Sequence, residues 1–538
     1  MQSLGVGSIT PLHVFLLGLF AFLCAVDELW LVLGVFTPLI SGVVTGLVIG
    51  DPLTGLIVGS LLQFIFTGLA AIGGGTVPDP ATGTIAAVVI ASVAGLKPEA
   101  AVALALPIGY LTMNIEIGVR SFCAVFSHWA DREIERGNFD RLPLINMLGL
   151  VPWGLSRAVP VWALLGAVAV NPEGVKAFIE SLSVIKIGPL TVKLWDALGV
   201  AGGVLPALGV AIMMRMMLSR LTLGYFVLGF VLAAYLKLNL LPIALIGASL
   251  ALTQYMLSYR DMLEGLRGQQ APAEPKGTAT RKDFLRWLVR SFFLQSSWNY
   301  ERMQGTGFAH TMLEIEKKLR KDPEELKSWM RMHNEFYNTN PWLHNLVYGM
   351  VISLEEQGAD LETVRGVKTA LMGPVAGLGD SIMWFVVIPV SFLIGASLGS
   401  QGNFAGPILS LLICFPVAMA VRYYSLVYGY RYGLSLAEVL RGEVLKVFRE
   451  AVTAFAMAVV GGIAALYVKA RAPLVVATVD SQQIQLQFIL DQIMPSLLPL
   501  AFTLFAYWLI KYKNVSYGKA AIILFLTALL LGVLGILG

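Results

Sequence analysis

The side chains that could do chemistry in this sequence are the few polar ones that interrupt long apolar runs. Asp27 and Glu28 lie side by side in the otherwise uncharged run LLGLFAFLCAVDELWLVLGVF. An ionisable group inside a bilayer costs several kcal/mol, so it usually faces a polar cavity. We expect this pair to accept hydrogen bonds from substrate hydroxyl groups in such a cavity. The alternative is that the run forms two shorter helices and the pair caps a turn at the water interface.

A second candidate lies in LLQFIFTGLAAIGGGTVPDPATGT, residues 61–84. Gln63 and Thr67 are one helical turn apart and should point the same way. The three glycines at 73–75 and the prolines on both sides of Asp79 should then break the helix, because glycine allows close backbone approach and proline lacks an N–H. The segment predicts a re-entrant tip that lines a substrate site. An external turn between two spans is the alternative.

A third candidate is MGPVAGLGDSIMW, residues 372–384. Asp380 is the only formal charge between Lys368 and Arg422, and it follows three glycines and a proline. An apolar helix is again interrupted, with a carboxylate at the break. We expect a second hairpin here, which would supply the other half of the site.

Two interrupted hydrophobic hairpins, one in each half of a chain, are typical of a transport site near the bilayer midplane. Carboxylates accept hydrogen bonds, and amides both donate and accept them. This combination suits a neutral, polyhydroxylated solute. No basic residue lies near these motifs in the sequence, which argues against an anionic, already phosphorylated substrate. Asn114 and Glu116, in LTMNIEIGVR, fit a helix end better than a site.

The composition predicts that helices in a membrane position these side chains. Of 538 residues, 57% are hydrophobic and 13% are charged, against about 25% charged residues in soluble domains. The mean hydropathy is +0.75. These values indicate an all-α, multi-span integral membrane protein and exclude a disordered chain or a secreted disulfide scaffold. The net charge of +4 is spread over loops and predicts no nucleic-acid partner, and three scattered cysteines indicate no metal site.

Charged segments divide the chain. Residues 120–141 form a water-facing loop, and the basic stretch 258–290 should be cytoplasmic by the positive-inside rule. Residues 268–280, rich in Gly, Pro, Ala and Gln, are typical of a flexible linker. The predicted units are a membrane domain at 1–267, the linker at 268–280, amphipathic cytoplasmic helices at 281–366 and membrane helices at 367–538.

The helix that opens the second unit has an apolar face with Phe284 and Trp287, opposite a basic face with Lys282, Arg286 and Arg290. This pattern fits a helix lying on a membrane surface. An ordinary amphipathic helix packed on a domain is an equal alternative.

The sequence contains no phosphate-binding loop and no nucleophile elbow. His310, His333 and His344 lie in the polar part of the second unit. We interpret them as packing or surface histidines rather than catalytic or phosphorylated ones.

Several phrases occur in a specific order and spacing. The second unit contains SSWNYERMQGTGF, HNEFYNTNPWL, GVKTALMGPVAGLGDSIMWFVVIPV and RYYSLVYGYRYG, and it resembles the D subunit of the mannose/fructose/sorbose family of sugar phosphotransferase systems. The first unit contains VDELW, PLISGVVTGLVIGDPLTGLIVGSLLQ, GGGTVPDPATGT and FSHWADREIERGN, and it resembles the C subunit of the same family. The two subunits are normally separate polypeptides, and here they are joined.

The resemblance implies a sugar permease in the bacterial inner membrane, assembled as a homotrimer of fused C–D chains that works by an elevator-like motion. It implies a hexose substrate of the mannose, glucose, fructose or amino-sugar class. Cytoplasmic A and B proteins would carry the phosphohistidines, and the B protein would phosphorylate the sugar, with no cofactor or metal in this chain. The resemblance adds Ser381, Asn299 and Glu301 to the candidate site and makes Asp380 a possible base. Gln63 stands where relatives often carry an acidic residue.

Two other functions compete with this one. An ion-coupled secondary transporter would use Asp27, Glu28, Asp79 or Asp380 as its ion site. A membrane sensor would bind sugar without transporting it. The loop at 126–141 and the polar face at 281–345 are the expected docking surfaces for the phosphorylated partner.

Overall fold

The computed structural model describes residues 9–68, 77–181, 184–187, 190–266, 279–439, 443–479 and 482–538. These residues are mostly helical, which confirms the predicted helical membrane architecture. Two short antiparallel β-hairpins, which the sequence analysis did not predict, interrupt the helical pattern.

The first half runs from α1 to α13. Its helices are α1 (Pro11–Leu29), α2 (Pro38–Ile49), α3 (Pro52–Phe66), α4 (Pro80–Ala94), α5 (Pro98–Phe122), α6 (Ala124–Glu135), α7 (Leu142–Leu148), α8 (Leu150–Val170), α9 (Pro172–Ser181), α10 (Leu194–Val204), α11 (Pro206–Met217), α12 (Arg220–Ala234) and α13 (Leu240–Leu266). Strands β1 (Val184–Ile187) and β2 (Leu190–Lys193) form its hairpin, with Val184 opposite Lys193.

The second half contains the remaining elements. Its helices are α14 (Arg281–Ser291), α15 (Gly305–Leu319), α16 (Pro323–His333), α17 (His344–Glu356), α18 (Leu361–Gly379), α19 (Ile388–Gly399), α20 (Ala405–Val439), α21 (Glu443–Leu466), α22 (Leu486–Ile493), α23 (Leu497–Lys511) and α24 (Tyr517–Val533). A 3₁₀ turn spans Phe292–Gln295, and a π-helical segment spans Asp380–Val387. Strands β3 (Val475–Val479) and β4 (Gln482–Gln485) form the second hairpin.

Among the described residues, eight helical stretches are long and apolar enough to cross a membrane. A ninth span exists if α22 and α23, which bend by 79° at their junction, count as one. These spans confirm a multi-pass membrane protein.

The helices α2 and α3 form a tight antiparallel pair. They have 12 and 15 residues, fewer than the roughly 20 that a bilayer crossing needs. Gly50 ends α2 with a left-handed φ of 83°, and the Asp51 carboxylate caps α3 by accepting the Thr54 N–H at 3.2 Å. The two backbones approach so closely that a Cβ on Gly55 would lie 2.4 Å from the Gly42 carbonyl oxygen.

The hairpin predicted around Asp380 is not formed. The helix α18, the π-helical segment and α19 make one helical run from Leu361 to Gly399. Glycine and proline in a membrane helix are tolerated when neighbouring helices and local π turns satisfy the backbone groups that they free. Here the wide turn begins at Asp380, so the carboxylate lies at a helix irregularity rather than at a hairpin tip.

Ion pairs join the two halves around α6. Acidic side chains of α6 and the turn after it meet basic side chains of the second half. The pairs are Asp131–Arg302, Glu135–Arg331 and Asp140–Lys317. The expected docking surfaces at 126–141 and 281–345 therefore pack partly against each other, which removes their facing sides as docking surfaces.

The helix α14 is packed against the protein. Phe284 and Trp287 are buried, and both rings contact Tyr430 of α20, with centroid separations of 5.3 and 5.6 Å. Of the two alternatives for this helix, the structure supports the packed one.

Candidate functional site in the cleft between the two halves

A cleft between the two halves brings Glu28 and Asp380 to one surface. It encloses about 640 Å³ of empty space, including its open mouth. Its polar and aromatic lining consists of Glu28, Arg120 and Trp153 from the first half, and Gln295, Trp298, Gln304, Asn338, Asp380 and Trp384 from the second. Carboxylates and amides can bind hydroxyl groups, and indole rings can cover an apolar sugar face.

Asp380 is held in place by Asn340. The Asn340 side-chain nitrogen donates to an Asp380 carboxylate oxygen at 2.9 Å. The Asn340 amide oxygen accepts the backbone N–H groups of Trp342 and Leu343, at 3.1 and 3.2 Å, which fixes the orientation of the amide. Gly379 allows this approach, because a Cβ there would lie 2.3 Å from the Asn340 side chain.

Asp380 also lines a second, wider cavity, with about 1170 Å³ of empty space. Ser381, Ser219, Thr222 and Arg449 are among its other lining residues. The Asp380 carboxylate therefore lies where two openings meet, and Ser381 belongs to the second one. The Ser381 hydroxyl donates to the Gly377 carbonyl oxygen at 2.6 Å.

Arg157 is the centre of a buried charge cluster behind the cleft. Its Nη2 pairs with Glu28 and lies 2.9 Å from Asp79 Oδ1, and its Nε donates to Glu116 Oε1 at 2.8 Å. The Arg157 side chain is only 2% exposed, and buried charges persist only with such partners. The expectation that no basic residue lies near the motifs is therefore wrong, since α8 brings a guanidinium to them.

Glu28 and Asp79 have different positions in this cluster. The Glu28 side chain is 18% exposed and reaches the cleft. Asp79 is 1% exposed and caps α4, with its Oδ2 accepting the Thr82 N–H at 2.8 Å. Asp79, predicted as a substrate ligand, thus does not line the cleft. It is linked to the cleft residue Glu28 through Arg157.

Asp27 binds backbone rather than lining the cleft. Its carboxylate accepts the N–H groups of Leu33, Gly34 and Val35, at 2.9, 3.1 and 2.8 Å. Since α1 ends at Leu29, these bonds shape the turn that follows it. For Asp27 this geometry matches the alternative in which the carboxylate caps a turn, whereas Glu28 lines the cleft.

Gln63 and Thr67 are adjacent, as their spacing predicts. The Gln63 amide nitrogen donates to Thr67 Oγ1 at 3.1 Å, and its amide oxygen accepts the Leu39 N–H at 3.3 Å. Gln63 thereby ties the end of α3 to the start of α2. The glycines at 73–75 lie outside the described residues.

Asn299 and Glu301 lie beside the inter-half contacts. The fully buried Asn299 amide donates to Ser127 Oγ at 2.9 Å, and its oxygen accepts the N–H groups of Glu301 and Arg302. Glu301 pairs with His128 at 2.9 Å and is half exposed. Neither side chain is among those that line the cleft.

Arg120 is a lining residue that the sequence analysis missed. Its guanidinium carbon lies 4.9 Å from the Trp153 ring centroid and 5.1 Å from that of Trp298. This double cation–π contact joins the two halves at the edge of the cleft. The sequence analysis assigned Arg120 to a water-facing loop, whereas Arg120 lies buried in the last turn of α5.

Arg157 could have been found from the sequence. It is the only formal charge between Arg141 and Glu173, which is the same signal that identified Asp380. The amides of the cleft carry no such signal, because they lie in the polar part of the second half, where these residues are common. Trp153 of α8 and Trp384 of the π-helical segment carry none either, because they lie among other apolar residues.

Two family models match the chain. The model described as "PTS system sorbose-specific iic component" matches residues 11–253, and that described as "PTS system mannose/fructose/sorbose family IID component" matches residues 278–537.

Individual relatives agree with these matches. The fructose permease IID component of Bacillus subtilis (strain 168) is 33% identical over 253 residues, which is 45% of this chain and 92% of that protein. The mannose-specific EIID component of Escherichia coli (strain K12) is 35% identical over 245 residues, covering 44% and 87%. The sorbose-specific EIIC component of Lacticaseibacillus casei is 31% identical over 221 residues, covering 41% and 76%.

A chain of the solved mannose transporter ManYZ complex with microcin E492 is 33% identical, covering 49% of this chain and all of that one, with a TM-score of 0.29. The relatives of the two halves, together with the membrane spans, lead to one conclusion. The chain belongs to the mannose/fructose/sorbose family of phosphotransferase systems, and it is a multi-pass sugar permease of the bacterial inner membrane with the C and D components in one polypeptide.

Proposed function

We propose that the cleft between the halves binds an unphosphorylated hexose, which a cytoplasmic B protein then phosphorylates. The observation that carries the proposal is the meeting of Glu28 and Asp380, one from each half, among amide and indole side chains. Relatives named for fructose, mannose and sorbose support a hexose-sized substrate.

Glu28 and Asp380 would accept hydrogen bonds from sugar hydroxyls, and Trp384 would cover one face of the ring. Arg157 pairs with Glu28, which fixes the orientation of the carboxylate. Asp380 is our candidate for the base that receives the proton of the attacking hydroxyl. It borders two cavities, so the sugar would approach it from one cavity and the phosphoryl donor from the other.

The protein's own cation occupies part of the site that the ion-coupled alternative would use. Glu28 and Asp79, two of its four candidate carboxylates, already pair with the buried Arg157 guanidinium, which competes with an added cation for them. Assembly as a trimer and an elevator-like motion remain part of the proposal, on the strength of the family resemblance.

The test uses the full chain in proteoliposomes with radiolabelled mannose, fructose or sorbose outside and a phosphorylated family B protein inside. We expect sugar phosphate to accumulate inside only with the phosphorylated B protein, and a protonophore to leave this accumulation unchanged. Uptake that proceeds without the B protein and stops when the ion gradient collapses would overturn the proposal.

A further inference from the structure

A second cluster of polar side chains lies away from the cleft, among the helices of the second half. It consists of Glu316 of α15, His333 of α16 and Glu355 of α17, whose side chains are all fully buried. His333 Nε2 lies 2.8 Å from Glu316 Oε1 and 3.3 Å from Glu355 Oε1. One atom from each residue falls within a group no wider than 4.8 Å.

The cluster leaves hydrogen-bonding capacity unused. Both carboxylate oxygens of Glu355, which is 2% exposed, lack a hydrogen-bond donor among the described residues, and so does Glu316 Oε2. Buried polar atoms nearly always have a partner, and an exception calls for an ion or another ligand. The Glu355 carboxylate has His333 Nε2 at 3.3 Å and Arg320 Nη2 at 3.8 Å as its neighbours but accepts no hydrogen bond from them, and this shortage of donors is an independent sign of a bound cation.

The surrounding cations contact the outer side of the cluster. Arg320 Nε lies 3.8 Å from Glu316 Oε2, and Arg320 Nη2 lies 3.8 Å from Glu355 Oε2. The same guanidinium pairs with Glu325 at 3.2 Å and lies 4.0 Å from the Trp329 ring centroid. It thus faces the Oε2 atoms and leaves the two Oε1 atoms facing the imidazole.

The remaining nearby cation is directed elsewhere. The Lys368 ammonium donates to the backbone carbonyls of Met332 and His333, at 3.0 and 3.1 Å. Lys368 thus fixes the backbone at His333, and Arg320 contacts the Oε2 atoms of the two glutamates. Groups around a metal site orient its ligands in the same way.

We propose that Glu316, His333 and Glu355 bind a divalent transition-metal ion of the Zn²⁺ class. One nitrogen and two carboxylate oxygens are a ligand set that Zn²⁺ accepts, with metal–ligand distances of about 2.0–2.2 Å. Ligand atoms at that radius are roughly 3.2–3.5 Å apart, so the two separations from His333 Nε2, 2.8 and 3.3 Å, need only small adjustment. The ion would neutralise two buried carboxylates and tie three helices together, as a structural site independent of the sugar cleft. The sequence analysis had expected no metal.

The first experiment measures metal in the full chain, purified without chelator, by inductively coupled plasma mass spectrometry. We expect about one ion per chain. In the same preparation, Glu355→Gln and His333→Gln should lose the ion. Glu325→Gln should keep it, because Glu325 touches Arg320 but is not a ligand. Equal metal content in Glu355→Gln and the unchanged chain would overturn the assignment.

A second experiment does not depend on whether these variants fold. The unchanged chain is stripped with a chelator and titrated with ZnCl₂ while its thermal unfolding is followed in detergent. We expect a saturable rise of the unfolding midpoint, because an ion that binds only the folded state stabilises it. No metal after purification, together with no rise on adding Zn²⁺ or Mn²⁺, would overturn the proposal and leave a shared proton as the occupant. Sugar transport is not the readout, so failure here leaves the proposed function intact.

Discussion

The side-chain nitrogen of Asn340 lies 2.9 Å from the Asp380 carboxylate and donates a hydrogen bond to it. Asn340 belongs to the loop before α17, and Asp380 begins the π-helical segment after α18. The bond therefore links the loop before α17 to Asp380, the residue that lines both the cleft and the second, wider cavity. The orientation of Asp380 thus depends on a residue that is not among those lining the cleft.

Replacing Asp380 with Asn should abolish high-affinity sugar binding while the chain still folds. The amide keeps the size of the side chain but loses the charge, and hydrogen bonds to a charged group are worth about 1.5–3 kcal/mol, or roughly 10- to 150-fold in affinity. Isothermal titration of the purified protein with the transported sugar measures the effect. Glu324→Gln, an equivalent change on an exposed side chain, is the control, and equal affinity in the two variants would remove Asp380 from the site.

Replacing Arg157 with Gln should destabilise the first half strongly. Three carboxylates would lose their shared partner, and breaking a buried ion pair costs about 3–5 kcal/mol. Lysine should not rescue the protein, because a single ammonium cannot reproduce the fork that contacts Glu116 through Nε and Glu28 through Nη2. Thermal unfolding in detergent provides the measurement. Arg136→Gln, at a side chain that is 65% exposed, should shift the midpoint little, and similar shifts for both would contradict a central role for Arg157.

The close contact between α2 and α3 should not accept a methyl group. In Gly55→Ala the new Cβ would meet the Gly42 carbonyl oxygen at 2.4 Å, and overpacking of this kind costs about 1–3 kcal/mol. Gly224→Ala lies in α12 with nothing within 4 Å of its Cβ, so it should be neutral or slightly stabilising. The difference between their unfolding midpoints is the observable, and a Gly55→Ala midpoint at or above that of Gly224→Ala would refute the close contact.

The second half should lose stability in acid because burial keeps two of its histidines, His310 and His344, neutral. Burial lowers the pKa of His310 and of His344 to about 3, with Arg290 and Arg422 respectively adding to the effect. Below a pH of about 6.5 these two histidines take up protons in the unfolded chain but stay neutral in the folded chain. The free energy of unfolding therefore falls as pH decreases from about 6.5 to about 3, by up to about 1.4 kcal/mol per pH unit for each histidine.

Unfolding midpoints measured from about pH 7 to about pH 4 test this dependence. His310→Gln keeps an acceptor for the Asn146 amide, which lies 3.0 Å from His310 Nδ1, and should weaken the dependence. His128→Gln, at a side chain that is 56% exposed, should leave it unchanged. An identical slope in His310→Gln and the unchanged chain would show that another group causes it.

Cutting the chain within 268–278 should leave a working permease when both halves are co-expressed. The Ser297 hydroxyl donates to Asn146 at 2.6 Å, and Arg302 pairs with Asp131 at 2.6 Å, so the halves hold each other without the covalent link. Co-purification on a tag carried by one half is the measurement.

The cut also makes the interface sensitive to mutation. Asp131→Ala should reduce co-purification of the separate halves yet leave the joined chain active, because a tether keeps the effective concentration high. Halves that never associate would show that the connection does more than tether them.

The sequence predicted most of the fold class and part of the site. Asp380 and Glu28 were recognised as isolated charges in apolar runs, and both line the cleft. Asp27 and Asp79 gave the same signal, but their carboxylates bind backbone N–H groups and Arg157 instead. An isolated charge indicates that a partner exists, and it does not say whether that partner is a substrate or the protein.

The sequence by itself determined a helical membrane protein with two halves and with carboxylates that needed a polar environment. Those features follow from local properties, namely the transfer cost of each side chain and the spacing along one helix. Only the tertiary structure decided that Arg157 meets Glu28, a residue 129 positions away along the chain, and that a π-helical turn rather than a hairpin carries Asp380. Such pairings depend on how whole helices pack, and that packing is the sum of many weak contacts which no single segment encodes.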